Sequence, residues 1–329
     1  MLFAVQRGRI VKSIKSAGGR PVQLLLYGEK NELYRTANLS SALGALDKNC
    51  YADKTRPDYK PTLLLVGCVH GGEFEGTVAL LNLISMLEAG VDLKGEKNEF
   101  LSNITDKINL LIIPCLNPDG RSRIKQDSVV GMDYEEFRYY NQGTWKDGSL
   151  CGYPECKKIH PIKDYCKFLG AYFNDDGVNL MHDNFFGKKA NETQFLFDLA
   201  DEYVPDLTVL LHGGTNTLKT ILSPTYAPDD IRKQIYLLEQ SMKKRCDEKN
   251  QSYFVQPLDR GENKEPHPSF NLVSALYHYI GEPCVTFESN QGLSGCKSKA
   301  STYEEIYEAH MMLFEEAVKF ILNKCNGKR

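Results

Sequence analysis

A histidine and a glutamate, three positions apart, stand where a buried strand gives way to a helix. His70 closes the apolar run at residues 61–70, and Glu73 follows it after two glycines. Imidazole and carboxylate groups are both zinc ligands, and a turn of this length can aim both at one point. The pattern predicts part of a metal site. The alternative is a structural histidine beside a glutamate that favours a helix start.

His212 ends another apolar run, at residues 207–211, and is followed by two glycines. The carboxyl ends of strands in an open α/β sheet face the crevice in which ligands bind. Two histidines and one glutamate leave a fourth zinc position open, as catalytic zinc sites require. His70, Glu73 and His212 are therefore the predicted metal ligands, and Zn²⁺ is the predicted cofactor. Taken alone, His212 would be interpreted as a core histidine.

Glu288 closes a third apolar run, at residues 283–287. A carboxylate at the end of a buried strand is unfavourable unless it is solvated or paired. Burial would raise its pKa, and a nearby zinc ion would lower it. Such a group can take a proton from water and pass it to a leaving nitrogen. Glu288 is the predicted catalytic base, and a solvated strand-end glutamate is the alternative.

Short apolar runs alternate with helical patterns along the chain. Residues 20–27 and 108–116 predict two further strands, because these runs are too short for helices. Apolar positions three and four apart predict helices at 73–88 and from 301 onward. A proline at 228, followed by two aspartates, predicts the start of a polar-faced helix that runs to about residue 249. The alternation predicts an α/β fold with a mainly parallel sheet covered by helices on both sides.

The composition excludes several classes of protein. The chain has 329 residues, 42% of them apolar, and a formal net charge of -3, which does not favour a nucleic-acid partner. No segment approaches the roughly 18 apolar residues of a membrane helix, and the amino terminus lacks the apolar core of a secretory signal. Ten cysteines are scattered along the chain. A cytoplasmic location, with no membrane partner, is the prediction.

Residues 121–175 differ from the rest of the chain because they are polar and contain no long apolar run. They predict a loop insertion near the carboxyl edge of the sheet, within a single domain spanning 1–329. Thiolates and a histidine close together can bind structural zinc, and this segment contains a set of that kind: Cys151, Cys156, His160 and Cys166. Free thiols or one oxidisable pair are the alternative. Their spacing does not fit a nucleic-acid zinc knuckle.

Five motifs, in order, resemble the zinc carboxypeptidase family, whose type member is carboxypeptidase A. They are His-Gly-Gly-Glu at 70–73, Asn-Pro-Asp-Gly at 117–120, Asp-Gly-Val-Asn-Leu at 176–180, His212, and Phe287-Glu288. The resemblance implies a mixed, mainly parallel eight-stranded sheet sandwiched between helices, the phosphorylase/hydrolase-like fold. It also implies that His70, Glu73 and His212 bind zinc while Glu288 acts as general base.

One departure from the family pattern concerns substrate binding. After the 176–180 motif the family has an asparagine and an arginine, and that arginine clamps the terminal carboxylate of a substrate. Met181 and His182 stand at those two places. The departure argues against an ordinary carboxypeptidase specificity. Asn179 and His182 are the predicted substrate-binding residues, and pairing of His182 with Asp183 is the alternative.

A second family arginine, which supports the oxyanion, follows the 117–120 motif. Arg121, Arg123 and Arg138 are candidates, and Arg138 is preferred because it lies in a polar-aromatic stretch at 137–143. A solvated surface arginine is the alternative for at least two of them.

The resemblance predicts a zinc-dependent hydrolase that cleaves a peptide or an acylated amino compound. Two alternatives stay open: an N-acyl amino acid deacylase of the aspartoacylase type, and a catalytically inactive relative that binds a ligand. The sequence leaves the oligomeric state open.

Overall fold

The computed structural model describes residues 5–259, 265 and 268–326. The strands are β1 (Arg9–Lys15), β2 (Pro21–Tyr27), β3 (Thr62–Val66), β4 (Asn109–Ile113), β5 (Gly143–Trp145), β6 (Cys166–Leu169), β7 (Leu207–Gly213), β8 (Thr220–Leu222) and β9 (Cys284–Ser289). The helices are α1 (Leu39–Gly44), α2 (Glu75–Ala89), α3 (Glu99–Ser102), α4 (Pro118–Arg121), α5 (Tyr134–Gln142), α6 (Asn191–Tyr203), α7 (Asp229–Glu248), α8 (Leu272–Ile280) and α9 (Tyr303–Asn326).

The main sheet has seven strands in the described part of the chain, in the order β1-β2-β4-β3-β7-β9-β8. The four inner strands run parallel to one another, whereas β1, β2 and β8 pair antiparallel with their neighbours. The mixed α/β architecture is confirmed. The strand count is seven where the family resemblance implies eight.

The inner strands are apolar because both faces of the sheet are covered. Every residue of β3, β4 and β7 is buried, which explains their continuous apolar runs. Helices α2, α3, α7 and α9 contact one another in one group, and α6 contacts α8 in another. The five predicted strands and the three predicted helices all appear, with ends shifted by a few residues.

The predicted loop insertion at 121–175 contains regular structure. Helix α5 and the antiparallel pair β5–β6 lie within it. Its small core has no apolar run because single residues spread along the segment form it, including Cys151, Cys156, Ile162 and Phe173. The loop interpretation was therefore wrong for α5, β5 and β6.

The cysteine-rich stretch does not form a metal site in the structure. Cys151 and Cys156 are buried in the small core, and the Nε2 atom of His160 accepts a hydrogen bond from the backbone N–H of Asn179, at 3.2 Å. None of the ten cysteines, all of which lie among the described residues, forms a disulfide bond. The second metal site is therefore not supported, and the free-thiol alternative agrees with the structure. No helix among the described residues is long and apolar enough to cross a membrane.

Candidate active site

Three parallel strands deliver the predicted site residues to one edge of the sheet. His70 follows β3, while His212 and Glu288 lie at the carboxyl ends of β7 and β9. His212 is directly opposite Glu288 in the strand register. Because these strands are parallel neighbours, their ends open into the same crevice.

Two glycines allow the backbone to approach closely at this edge. A Cβ atom on Gly71 would lie 2.1 Å from the carbonyl carbon of Gly120. A Cβ atom on Gly214 would lie 2.9 Å from Oε2 of Glu288. A side chain at either position would therefore displace the turn that follows β3 or the carboxylate of Glu288.

His70, Glu73 and His212 converge on one point. The Nδ1 atom of His70 lies 3.0 Å from Oε1 of Glu73, and Nδ1 of His212 lies 2.9 Å from Oε2 of the same carboxylate. In the residues that the structure describes, this is the single group of three or more His, Cys, Asp or Glu side chains whose ligand atoms lie within 4.8 Å of one another. All three residues are buried.

The charges in this group suit a cation. Burial opposes ionisation of Glu73, yet the two imidazoles outweigh it and lower the pKa of Glu73 to about 2. Burial also opposes protonation of His212, but the Glu73 carboxylate leaves the pKa of His212 raised. Burial lowers the pKa of His70. Two imidazoles and one carboxylate match the donor set of catalytic zinc sites, so these residues fit Zn²⁺.

His70 is fixed in orientation by two contacts away from the ligand cluster. Its Nε2 atom lies 3.1 Å from Oδ1 of Asn179, and its ring stacks on Tyr172 with centroids 3.7 Å apart. The backbone N–H of Met181 donates to the same Oδ1 atom, so this oxygen is an acceptor and Nε2 donates to it. In the neutral imidazole Nδ1 is then the nitrogen available to a metal ion. The observed contact of Asn179 is thus with a candidate ligand, while its predicted role in substrate binding stays a prediction.

We expect Asn179→Ala to weaken zinc binding about 10- to 100-fold, because outer partners of metal-ligating histidines orient the ring. Competition with a chromophoric chelator would measure the affinity. Asn184→Ala is the matched control, because Asn184 is exposed in the same segment. Equal zinc affinity of wild type and Asn179→Ala would show that this contact does not orient His70.

A cavity of about 590 Å³ opens in front of these residues and is also lined by Glu288. The Glu288 side chain is half-buried on the cavity wall. Burial raises the pKa of Glu288 to about 7, and the nearby charges of His212 and Glu73 act on it in opposite directions. A carboxyl group with a pKa near neutrality can both take up and release a proton at physiological pH.

The three candidate arginines lie in different surroundings. Arg121 donates to the backbone carbonyl of Gln126 and covers the ring of Phe74. Arg123 is paired with Asp175. Arg138 lines the cavity and forms an ion pair with Glu135, at 2.9 Å. Of the three, Arg138 is the arginine that lines the cavity, and its predicted role at the oxyanion stays a prediction.

His182 also lines the cavity, but its partner is Lys157 and not Asp183. The Nζ atom of Lys157 lies 2.9 Å from Nε2 of His182. The Asp183 carboxylate instead accepts from the backbone N–H groups of Asn184 and Ala190. Sequence reasoning missed Lys157, because no spacing connects it to residues 181–182.

A family model described as zinc carboxypeptidase matches residues 6–256. No curated protein matches the chain by sequence. The fold is similar to that of solved metallo-carboxypeptidases. One, from Burkholderia cenocepacia, has a TM-score of 0.59 and 13% identity over 97% of this chain. Another, from Pseudomonas aeruginosa, in complex with (2-guanidinoethylmercapto)succinic acid, has a TM-score of 0.56 and 12% identity over 98% of this chain.

Carboxypeptidase A from Helicoverpa armigera has a TM-score of 0.51 and 15% identity, over 96% of this chain and 68% of its own. The chain spans 66% of the length of each of the two bacterial proteins. At sequence identities of 12–15%, the similarity to these structures shows the fold alone.

Proposed function

Because the chain belongs to the zinc carboxypeptidase family, we propose that it is a zinc-dependent hydrolase that cleaves a peptide or amide bond. The proposal depends on one observation. Ligand atoms of His70, Glu73 and His212 lie within 4.8 Å of one another, beside a cavity that Glu288 also lines. Three distant segments supply these four side chains.

Zinc, when bound, supplies a Lewis acid that polarises a carbonyl group and makes water acidic enough to react near pH 7. Glu288 takes the proton of the attacking water on a carboxylate oxygen and later delivers it to the leaving nitrogen. Arg138 donates hydrogen bonds toward the negative charge that develops on the carbonyl oxygen. For that role Arg138, which is half-buried on the cavity wall, exchanges Glu135 for the substrate, and the exposed position of Glu135 permits the exchange.

Two alternatives differ from this proposal in ways that can be measured. An N-acyl amino acid deacylase would use the same four residues on a smaller substrate. An inactive ligand-binding relative would keep the fold and bind without turnover. The presence of a complete ligand set beside Glu288 favours an active hydrolase over the inactive relative.

The test is a panel of peptides and N-acyl amino acids, assayed with zinc-loaded and chelator-treated protein. We expect one equivalent of tightly held zinc, turnover of at least one panel member, loss of that turnover on chelation, and recovery when zinc is restored. Preference for N-acyl amino acids over peptides would select the deacylase. Full zinc occupancy without any turnover would favour the inactive relative.

A further inference from the structure

One cation on the cavity wall has no carboxylate partner within the part of the chain that the structure describes. Lys157 is half-buried, lines the cavity and belongs to the short 3-10 helix Glu155–Lys157 of the 121–175 insertion. Among the residues that the structure describes, no carboxylate lies within 4 Å of its Nζ atom. The neighbouring Lys158, in contrast, is paired with Glu155 at 2.6 Å.

The contacts of Lys157 hold its ammonium group in place without neutralising it. His182 accepts one of its protons, and the ring of Tyr153 lies 4.7 Å from Nζ. Burial, and after it the charge of Lys157, lowers the pKa of His182 to about 3, so the imidazole is neutral and serves as an acceptor. An ammonium group has three donors, and these contacts leave donors free for a further partner.

Lys157 supplies a positive charge near the place where the family pattern has an arginine and this chain has Met181 and His182. The segment that should carry an arginine presents a neutral histidine, and a lysine from a different part of the chain lies against that histidine. The positive charge of the cavity wall is therefore supplied from the insertion. Lysine offers a point charge in place of a planar fork, so the geometry of recognition changes although the sign of the charge does not.

We propose that Lys157, held by His182, binds a carboxylate of the substrate next to the bond that is cut. This inference rests on the proposed function and narrows it to substrates that carry a carboxylate near the scissile amide. Peptides with a free carboxyl terminus and N-acyl amino acids share that group. Lys157 is accordingly a specificity residue and not part of the proton-transfer machinery.

The test compares three acylated dipeptides that differ in their last residue. The first ends in a free α-carboxylate, the second in an α-carboxamide, and the third has an α-carboxamide with a side-chain carboxylate. We expect Lys157→Met to lower kcat/KM for a carboxylate substrate roughly 10- to 100-fold, the usual effect of losing one hydrogen bond to a charged group. The plain carboxamide substrate should be unaffected. The first and third substrates show which carboxylate is bound.

Two variants make the result specific. Lys157→Arg keeps the charge and should retain most of the preference for a carboxylate, while Lys158→Met changes the exposed neighbour and should behave like wild type. An equal loss on carboxylate and carboxamide substrates would overturn the proposal, because it would indicate a role in stabilising the oxyanion. Unchanged kinetics on all three substrates would overturn it as well.

Binding separates a failure of this inference from a failure of the proposed hydrolase. Calorimetry of the zinc-loaded Glu288→Gln protein with N-acetylphenylalanine and its carboxamide requires no turnover. We expect the added Lys157→Met change to weaken binding of the carboxylate compound roughly 10-fold or more and to leave the carboxamide unchanged. If no panel member is hydrolysed but Lys157→Met still weakens binding of the carboxylate compound, the carboxylate site is supported and the proposed hydrolase activity is rejected. Equal affinities with and without Lys157 would reject the site.

Discussion

Replacing Glu288 by glutamine is expected to lower kcat about 10²- to 10⁴-fold, the range that a positioned general base contributes. Glutamine preserves the shape of the side chain but cannot take up a proton. The zinc content should stay at one equivalent, because the ligand set of His70, Glu73 and His212 does not include Glu288. Steady-state kinetics on the best panel substrate, together with atomic absorption of the purified protein, measure both quantities.

The pH profile gives this prediction a second readout. A general base works in its deprotonated form, so kcat/KM should rise with pH through the pKa of Glu288. Burial places that pKa at about 7 in the metal-free protein, and the positive charge of bound zinc lowers it, so the ascending limb should lie below pH 7. That limb should be absent from the residual activity of Glu288→Gln.

Glu29→Gln is a suitable control for this experiment. Glu29 is an exposed carboxylate that pairs with Arg9 on the edge strand β1, so its loss should change neither kcat nor zinc content. Wild-type turnover in Glu288→Gln would remove this residue from the mechanism. Loss of zinc in the same variant would instead mean that the carboxylate helps to hold the metal.

The central strands and the positions of the polar residues in or just after their carboxyl ends could be predicted, because each is encoded locally. A strand buried on both faces must be a continuous apolar run, so a polar residue that ends it, such as His212 or Glu288, stands out in the sequence. The glycines at 71 and 214 add a second local signal, since the backbone comes too close there for a side chain. Local patterns of this kind need no knowledge of distant contacts.

Other parts could not be predicted, because they depend on pairs of residues far apart in the chain. Lys157 and His182 meet across 25 positions, and Asn179 contacts His70 across 109. The edge strand β8 has only three residues, too few to show an alternating pattern. The polar-aromatic stretch favoured Arg138, but its place on the cavity wall depends on how the insertion folds.

At the opposite edge of the sheet, replacing Asp206 by alanine is expected to destabilise the protein by about 3–5 kcal/mol. The Asp206 carboxylate is fully buried and accepts from Lys54 at 3.0 Å, from Tyr59 at 2.6 Å and from the backbone N–H of Thr62 at 2.8 Å. Removing it leaves an ammonium group, a hydroxyl and a strand N–H in the core without this acceptor. Urea unfolding followed by circular dichroism measures the change in the free energy of unfolding.

The loss of stability arises because buried donors are left without an acceptor, and not because the ion pair itself is strongly stabilising. A second substitution tests that explanation. Adding Lys54→Met to Asp206→Ala removes the buried ammonium group, while Glu282 keeps Lys48 and Lys324 as partners. We therefore expect the double variant to be more stable than Asp206→Ala alone.

The control is Asp58→Ala, which breaks an exposed ion pair with Arg56 and should have little effect on the free energy of unfolding. Both core variants should still bind zinc, because Asp206 joins the starts of β3 and β7 and the ligands lie at their other ends. A double variant less stable than Asp206→Ala would show that Lys54 stabilises the core through Glu282 even after Asp206 is lost.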